Sequence, residues 1–201
     1  MRTELGIAGL VLMYAGNLEA YQGIDLLLQS FALALEKRDG VDLVIIGGDA
    51  HGVDKYQTKS RHMGIDKKVH FLGSKPVELL PSFLSEADIL VSARTKGNNT
   101  PMKIYPYLLS GKPVLATKLP THTQILDSKV AMLADPFPGP FSEAMLRLIG
   151  DEETRKSLGL AAKRLAEEQF SYAVFRTKLN GFFDWLENEI LRERNNGATG
   201  R

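Results

Sequence analysis

The chain of 201 residues predicts an α/β domain, a doubly wound six-stranded parallel sheet followed by C-terminal helices. Three observations carry that expectation. Short, continuously apolar runs alternate with segments of helical period, three of those runs end at glycine, and after about Phe141 the pattern turns helical throughout. Strands alternating with helices imply βαβ units, and right-handed crossovers then give a parallel sheet covered on both faces. The expected strand order is 3-2-1-4-5-6, with ligands bound at the carboxyl ends where the order reverses.

Each element has its own signal. Residues 1–9 read as a lead into the first strand. Arg2 and the apolar run from Gly6 to Gly16 have the length of a signal-peptide core, but Glu4 interrupts the charged end and a strand–turn–helix pattern follows directly. Leu10 to Ala15 is a continuous hydrophobic run, as a strand buried on both faces requires. Ile24, Leu27, Leu28, Phe31 and Leu35 then recur at offsets 0, 3, 4, 7 and 11, one stripe of a helix. Leu43–Ile46 forms the second strand and Val69–Leu72 the third, with a polar helix from about Asp54 to Met63 between them. A helix over Val77 to Glu86 precedes the fourth strand, Ile89–Val91. A long polar loop and a helix near Tyr107 lead to the fifth, Pro113–Ala116, and Val130–Leu133 is the sixth. Beyond it, Leu146, Ile149, Leu158, Leu165, Phe170, Phe175, Leu179, Phe182, Phe183, Trp185 and Leu186 form an apolar stripe expected to pack on the sheet layer. The domain thus spans residues 10–190, and residues 191–201, polar and rich in Asn and Gly towards their end, read as a flexible tail or an appended remnant.

Composition excludes several classes. With 44% hydrophobic and 24% charged residues the chain has globular proportions. A net charge of +1 gives no general electrostatic reason to bind nucleic acid or an anionic bilayer, and no stretch approaches the ~20 apolar residues of a membrane span. The absence of cysteine removes disulfides, thiol catalysis and thiolate metal sites. His51, His62 and His70 show no ligand-like pairing, so no metal is expected. Asp39, Asp42, Asp49, Asp54 and Asp66 fall near turns and strand ends and read as turn or cap residues.

Two loops carry the chemistry. Gly16-Asn17-Leu18-Glu19-Ala20-Tyr21-Gln22-Gly23 follows the first strand and opens a helix, whose free N–H groups and positive dipole end favour phosphate. Its spacing matches neither G-x-G-x-x-G nor the P-loop. Arg94 to Lys103 follows the fourth strand, the neighbour of the first at the switch point, so the two loops should face each other. Thr100 reads as an N-cap, Pro101 as the first helical residue and Lys103 as a cation in the first turn. Thr121-His122-Thr123-Gln124 reads as a capping box, with His122 left over at the mouth of the cleft.

An ordered series joins these pieces: Gly16…Gln22-Gly23-Ile24-Asp25, Leu43–Gly48, Val69–Gly73, Ala87–Val91, Thr100–Tyr105 and Ser110–Thr117. From about Leu10 to Leu186 it resembles the C-terminal, donor-binding domain of GT-B glycosyltransferases, specifically retaining family four, and implies their Rossmann-like fold. The resemblance implies a nucleotide-sugar donor (a UDP-, GDP- or ADP-sugar), transfer to an acceptor held by a separate N-terminal domain, and no metal or other cofactor. It also implies a cytoplasmic protein, or a membrane-peripheral one at full length. The implied donor-binding set is Gly16, Asn17, Gln22, Gly23, Gly47, Phe71, Leu72, Gly73, Asn98, Asn99, Thr100, Met102, Lys103 and His122, with the base near Phe71-Leu72-Gly73. The family's two glutamates match Asn98 and Pro106, and its basic pair in the first loop matches Asn17 and Gln22, so no catalytic residue is assigned. Lys96 or Lys103 could replace the lost charge. Pro106 predicts a kink or a late helix start. Two other readings share the resemblance: a catalytically degenerate interaction domain, and an epimerase-like GT-B enzyme acting on a nucleotide-sugar.

Overall fold

A computed structural model describes residues 1–198. Strands β1 (Leu10–Ala15), β2 (Val41–Ile46), β3 (Val69–Gly73), β4 (Ile89–Ser92), β5 (Val114–Thr117) and β6 (Met132–Ala134) form one parallel sheet ordered β3-β2-β1-β4-β5-β6. The order is the expected one. Strand β1 pairs with β2 from Leu10↔Val41 to Ala15↔Ile46 and with β4 at Leu12↔Ile89, so the order reverses between β1 and β4.

Alternation along the strands divides the core. Leu12, Tyr14, Leu43 and Ile45 point to the face covered by α2 (Ile24–Leu35), α3 (Ala50–His62) and α7 (Pro138–Gly150). Val11, Met13, Val44 and Leu90 point to the face covered by α4 (Leu80–Glu86), α5 (Ile104–Leu109) and α8 (Glu152–Gln169). Strands buried on both faces are continuously apolar because neither set can face water.

Several expectations are corrected. The lead into β1 forms a helical turn, α1 (Arg2–Leu5), in which the Arg2 side chain donates to the carbonyls of Glu86 (2.8 Å) and Gly9 (2.9 Å) and pairs with Asp88. Helix α3 begins at Ala50 because Asp49 caps it, its carboxylate accepting from the Gly52 amide at 2.7 Å. Asp42 is no turn residue: it lies in β2 and faces His70 at 2.8 Å. The sixth strand is displaced, with Lys118 donating to the Ala134 carbonyl at its edge. Helix α6 (Pro120–Thr123) has Leu119 at its N-cap, so Thr121 and Gln124 form no capping box.

The largest correction lies in α9 (Tyr172–Ala198). Phe170 packs edge-on against Tyr105, with ring centroids 5.3 Å apart, but Phe175, Phe182, Phe183 and Trp185 are exposed rather than set against the sheet. Periodicity identifies an apolar face without saying what covers it, and α8 already occupies the layer. Residues 191–198 of the expected tail continue α9, and residues 199–201 lie outside the described residues. Among the described residues no helix is long and apolar enough to cross a membrane.

Candidate functional site

Three strand ends are tied together at the carboxyl edge. Gly16 donates its amide to the Ile46 carbonyl (2.9 Å), and Gly47 donates to the Gly73 carbonyl (2.8 Å). At Gly47 a Cβ would stand 2.1 Å from the Gly16 carbonyl oxygen, and its φ of 110° also disfavours any side chain. Gly23 lies equally close to the other loop, where a Cβ would meet the Ala93 carbonyl oxygen at 1.9 Å. Thr95 donates its amide to the Tyr21 carbonyl at 2.9 Å. The Gly16–Gly23 loop therefore meets the start of the second loop at the reversal of strand order, and from the Asn98–Lys103 segment Lys103 reaches it.

Lys103 occupies the junction. Its Nζ donates to Gln22 Oε1 at 3.2 Å and sits 3.7 Å from the Tyr14 ring centroid. A Cβ at Gly16 would lie 2.6 Å from the same nitrogen. Burial pushes its ammonium down to about 7, and the Arg94 guanidinium adds to that shift.

Helix α5 starts at Ile104 with Lys103 as N-cap, correcting the expected Thr100 cap while bearing out a late start. A helix beginning at Pro101 would place Pro106 in its interior and remove a hydrogen bond. Starting at Ile104 puts Pro106 in the first turn, where backbone N–H groups have no helical partner.

Arg94, buried although it follows a loop-ward strand end, organises the polar loop. Its guanidinium donates to the Lys96 carbonyl (2.8 Å), the Asn99 carbonyl (3.1 Å) and Asn99 Oδ1 (3.1 Å), and stacks over Tyr21. Thr121 donates to the Asn99 carbonyl at 2.7 Å and Gln124 donates to that of Asn98. Tyr107 Oη accepts from the Ala15 amide at 2.7 Å, fixing the end of β1. No local pattern in the sequence marks Arg94, Tyr14 or Tyr107 for these roles, because each acts across the switch point.

His122 is not at the cleft mouth. It is fully buried, with Nδ1 3.0 Å from the Thr117 carbonyl and 2.9 Å from Thr117 Oγ1, and Nε2 2.8 Å from Ser92 Oγ. The Thr117 hydroxyl spends its proton on the Arg94 carbonyl (2.6 Å), so both Thr117 oxygens accept and the network assigns the imidazole proton to Nδ1. Burial pushes the imidazole down to about 4; the Thr117 backbone opposes that fall, and the Lys103 and Arg94 charges add to it.

A cavity of about 440 Å³ opens at this edge, lined by Gly16, Gly47, Met102 and Lys103 from the expected set and by Ser74, Lys75, Pro76, Val77, Leu80, Phe83 and Pro106 beyond it. Phe71, Leu72 and Gly73, the end of β3 expected near the base, are not in this lining. The Phe71 and Leu72 side chains pack against the two core layers, and Ser74 to Val77, directly after β3, stand at the cavity. Asn17, Gln22, Gly23, Asn98, Asn99 and Thr100 are not in the lining, although Gln22 holds the Lys103 ammonium that is. Among the described residues no three of His, Asp and Glu gather as a metal-ligand set.

The family model for glycosyl transferases group 1 matches residues 7–165. The chain belongs to that family. Among group 1 relatives, the D-inositol 3-phosphate glycosyltransferase of Corynebacterium diphtheriae is 29% identical over 182 residues, covering 86% of this chain and 42% of the relative. That of Corynebacterium glutamicum is 28% identical over 200 residues, covering 94% and 47%. The chain thus spans less than half the length of these relatives. In fold it is similar to Anabaena Alr3699/HepE, solved in complex with UDP, at a TM-score of 0.82 and 19% identity over 91% of this chain and 51% of that one. The C-terminal domain of a Francisella tularensis group 1 protein, LpcC, gives 0.74 at 21% identity, covering 85% and 91%. The Rossmann-like sheet is that of GT-B glycosyltransferases.

Proposed function

We propose that this chain is the donor-binding half of a glycosyltransferase, holding a nucleoside diphosphate sugar in the cavity at the β1–β4 switch point. One observation carries the reading: Lys103 Nζ stands against Gly16 at the cavity wall, within 3.2 Å of Gln22, where the family's basic pair is absent. An amine whose charge is discouraged by burial gains most from a diphosphate, and the charge it lends supports departure of that group without a metal. The UDP complex of the Anabaena neighbour supports the ligand class. The acceptor would be held by a second domain, for which the exposed face of α9 is the natural seat, and reaction would occur in the closed cleft between the two. We place the protein in the cytoplasm on the same reading.

Calorimetry with a panel of nucleoside diphosphates tests this. Binding that survives EDTA and weakens at least about tenfold in Lys103→Ala is expected, the loss of one charge-assisted contact. Silence from every nucleoside diphosphate at millimolar concentration removes the proposal. A second reading, a binding domain without catalysis, draws on Asn98 and Pro106 standing where the family's glutamates do. Full-length protein that binds donor and transfers no sugar to any acceptor favours it.

A further inference from the structure

We infer that donor docking is proton-coupled: a diphosphate entering this cavity brings a proton onto the Lys103 amine as it binds. The inference rests on the donor-binding reading and adds the protonation change that accompanies it.

Lys103 is only partly exposed, and its Nζ is the inward end. It stands 3.7 Å from the centroid of the fully buried Tyr14 ring and 2.6 Å from where a Cβ on Gly16 would lie. Gln22 Oε1, at 3.2 Å, and the Tyr14 face offer it partial charges only. The Tyr14 phenol donates to the Asn17 carbonyl (2.6 Å), and burial pushes its titration and that of Tyr107 upward, so both stay neutral. His122, from α6, is neutral as well. Arg94 and Lys96 after β4 and Lys75 in the cavity lining are cations. Glu19, Asp49 and Glu78, the carboxylates on the segments that follow β1, β2 and β3, are exposed, and Asp49 is engaged as the cap of α3. Among the described residues no carboxylate forms an ion pair with Lys103.

An ammonium taken from water without a counter-charge gives way to the neutral amine. Burial, with the Arg94 charge adding to it, accordingly holds the Lys103 titration down at about 7 against an ordinary 10.5. The Gln22 hydrogen bond does not choose between the two states, because amine and ammonium both donate. A diphosphate does choose. Its negative charges tie the proton to Nζ, and by linkage the affinity then depends on how much of the empty protein already carries that proton. Affinity should therefore fall as pH rises above 7.

Calorimetry with UDP, GDP, ADP and dTDP selects the tightest ligand, which is then titrated at pH 8 in buffers of different ionisation heat to count the protons taken up. At that pH the nucleotide's own phosphates are fully ionised. A charged contact that strengthens binding at least about tenfold requires uptake of at least about 0.4 proton per ligand, and affinity at least about twofold weaker at pH 8.5 than at pH 7.5. Lys103→Arg, charged throughout this range, should bind with no uptake and a flat profile. Wild-type binding without proton uptake overturns the inference and leaves the donor-binding reading standing. Uptake that persists in Lys103→Arg also overturns it, since the proton then belongs to another group. Silence from all four nucleotides removes both. The ε-carbon shifts of 13C-labelled lysine in the wild-type chain need no variant: one amine should titrate near 7 without ligand and distinctly higher with it. Lysines that all titrate near 10.5 in the empty chain overturn the inference.

Discussion

At the scale of single residues, the site is held by buried polar groups that satisfy one another. Near Arg94, the Lys103 ammonium has the Tyr14 face and Gln22 Oε1 as sources of partial negative charge. His122 makes a complementary contribution. Kept neutral, it accepts from Ser92 and donates to Thr117, which in turn holds the Arg94 carbonyl and hence the start of the polar loop. Its imidazole is pushed down to about 4 in the folded chain against an ordinary value of 6.5. The unfolded chain therefore takes up this proton first as pH falls, and stability is full above about 6.5 and lost between there and about 4. Urea midpoints measured from pH 7 to pH 4.5 should show a steeper acid decline in the wild-type chain than in His122→Gln. The difference should approach about 3 kcal/mol at the acid end. Parallel declines would mean that the network accommodates the imidazolium. Little of this was legible in the sequence, since Ser92, Thr117 and His122 come from three separate segments and none has a recurrent local pattern.

At the scale of elements, the sequence was most informative where burial alone decides. Runs such as Leu10–Ala15 and the stripe Ile24, Leu27, Leu28, Phe31 located β1 and α2 because period two and period 3.6 follow directly from which side chains avoid water. Helix starts were less legible. Asp49 moved α3 earlier than the start expected near Asp54, and Pro106 moved α5 later than Thr100-Pro101 suggested, because caps and proline compete with several nearby alternatives. Close packing between elements was invisible. In α8, a Cβ on Gly159 would stand 2.2 Å from the Gly111 carbonyl oxygen in the turn after α5, so this glycine sets how closely α8 approaches the sheet. Alanine there gains helix propensity but must displace backbone, and Gly159→Ala should lose about 1–3 kcal/mol of stability. Gly181 in α9 has nothing within 4 Å of its Cβ position, so Gly181→Ala should gain about 0.5–1 kcal/mol. Thermal unfolding of the two variants beside the wild type checks the pair. Equal shifts would show that the α8 approach is compliant.

At the scale of the whole molecule, one face remains without a counterpart. Phe175, Phe182, Phe183 and Trp185 are each at least 50% exposed on one helix, a larger apolar surface than a self-sufficient domain ordinarily leaves in water. Helical periodicity explains why the sequence suggested a core stripe, and on the proposed donor-binding reading its cover is to be sought in the acceptor half. If the acceptor half seats on α9, closure of the cleft and burial of this face are one event, and the apolar area that holds the halves together also sets the angle at which donor meets acceptor. Trp185, the one tryptophan of the sequence, reports on it directly. Its fluorescence in this chain alone should be quenched freely by iodide. In the full-length protein the signal lost on Trp185→Phe should be protected from iodide and shifted to shorter wavelength. A Trp185 that stays equally quenchable at full length would place the acceptor half elsewhere and leave the α9 face to some other contact.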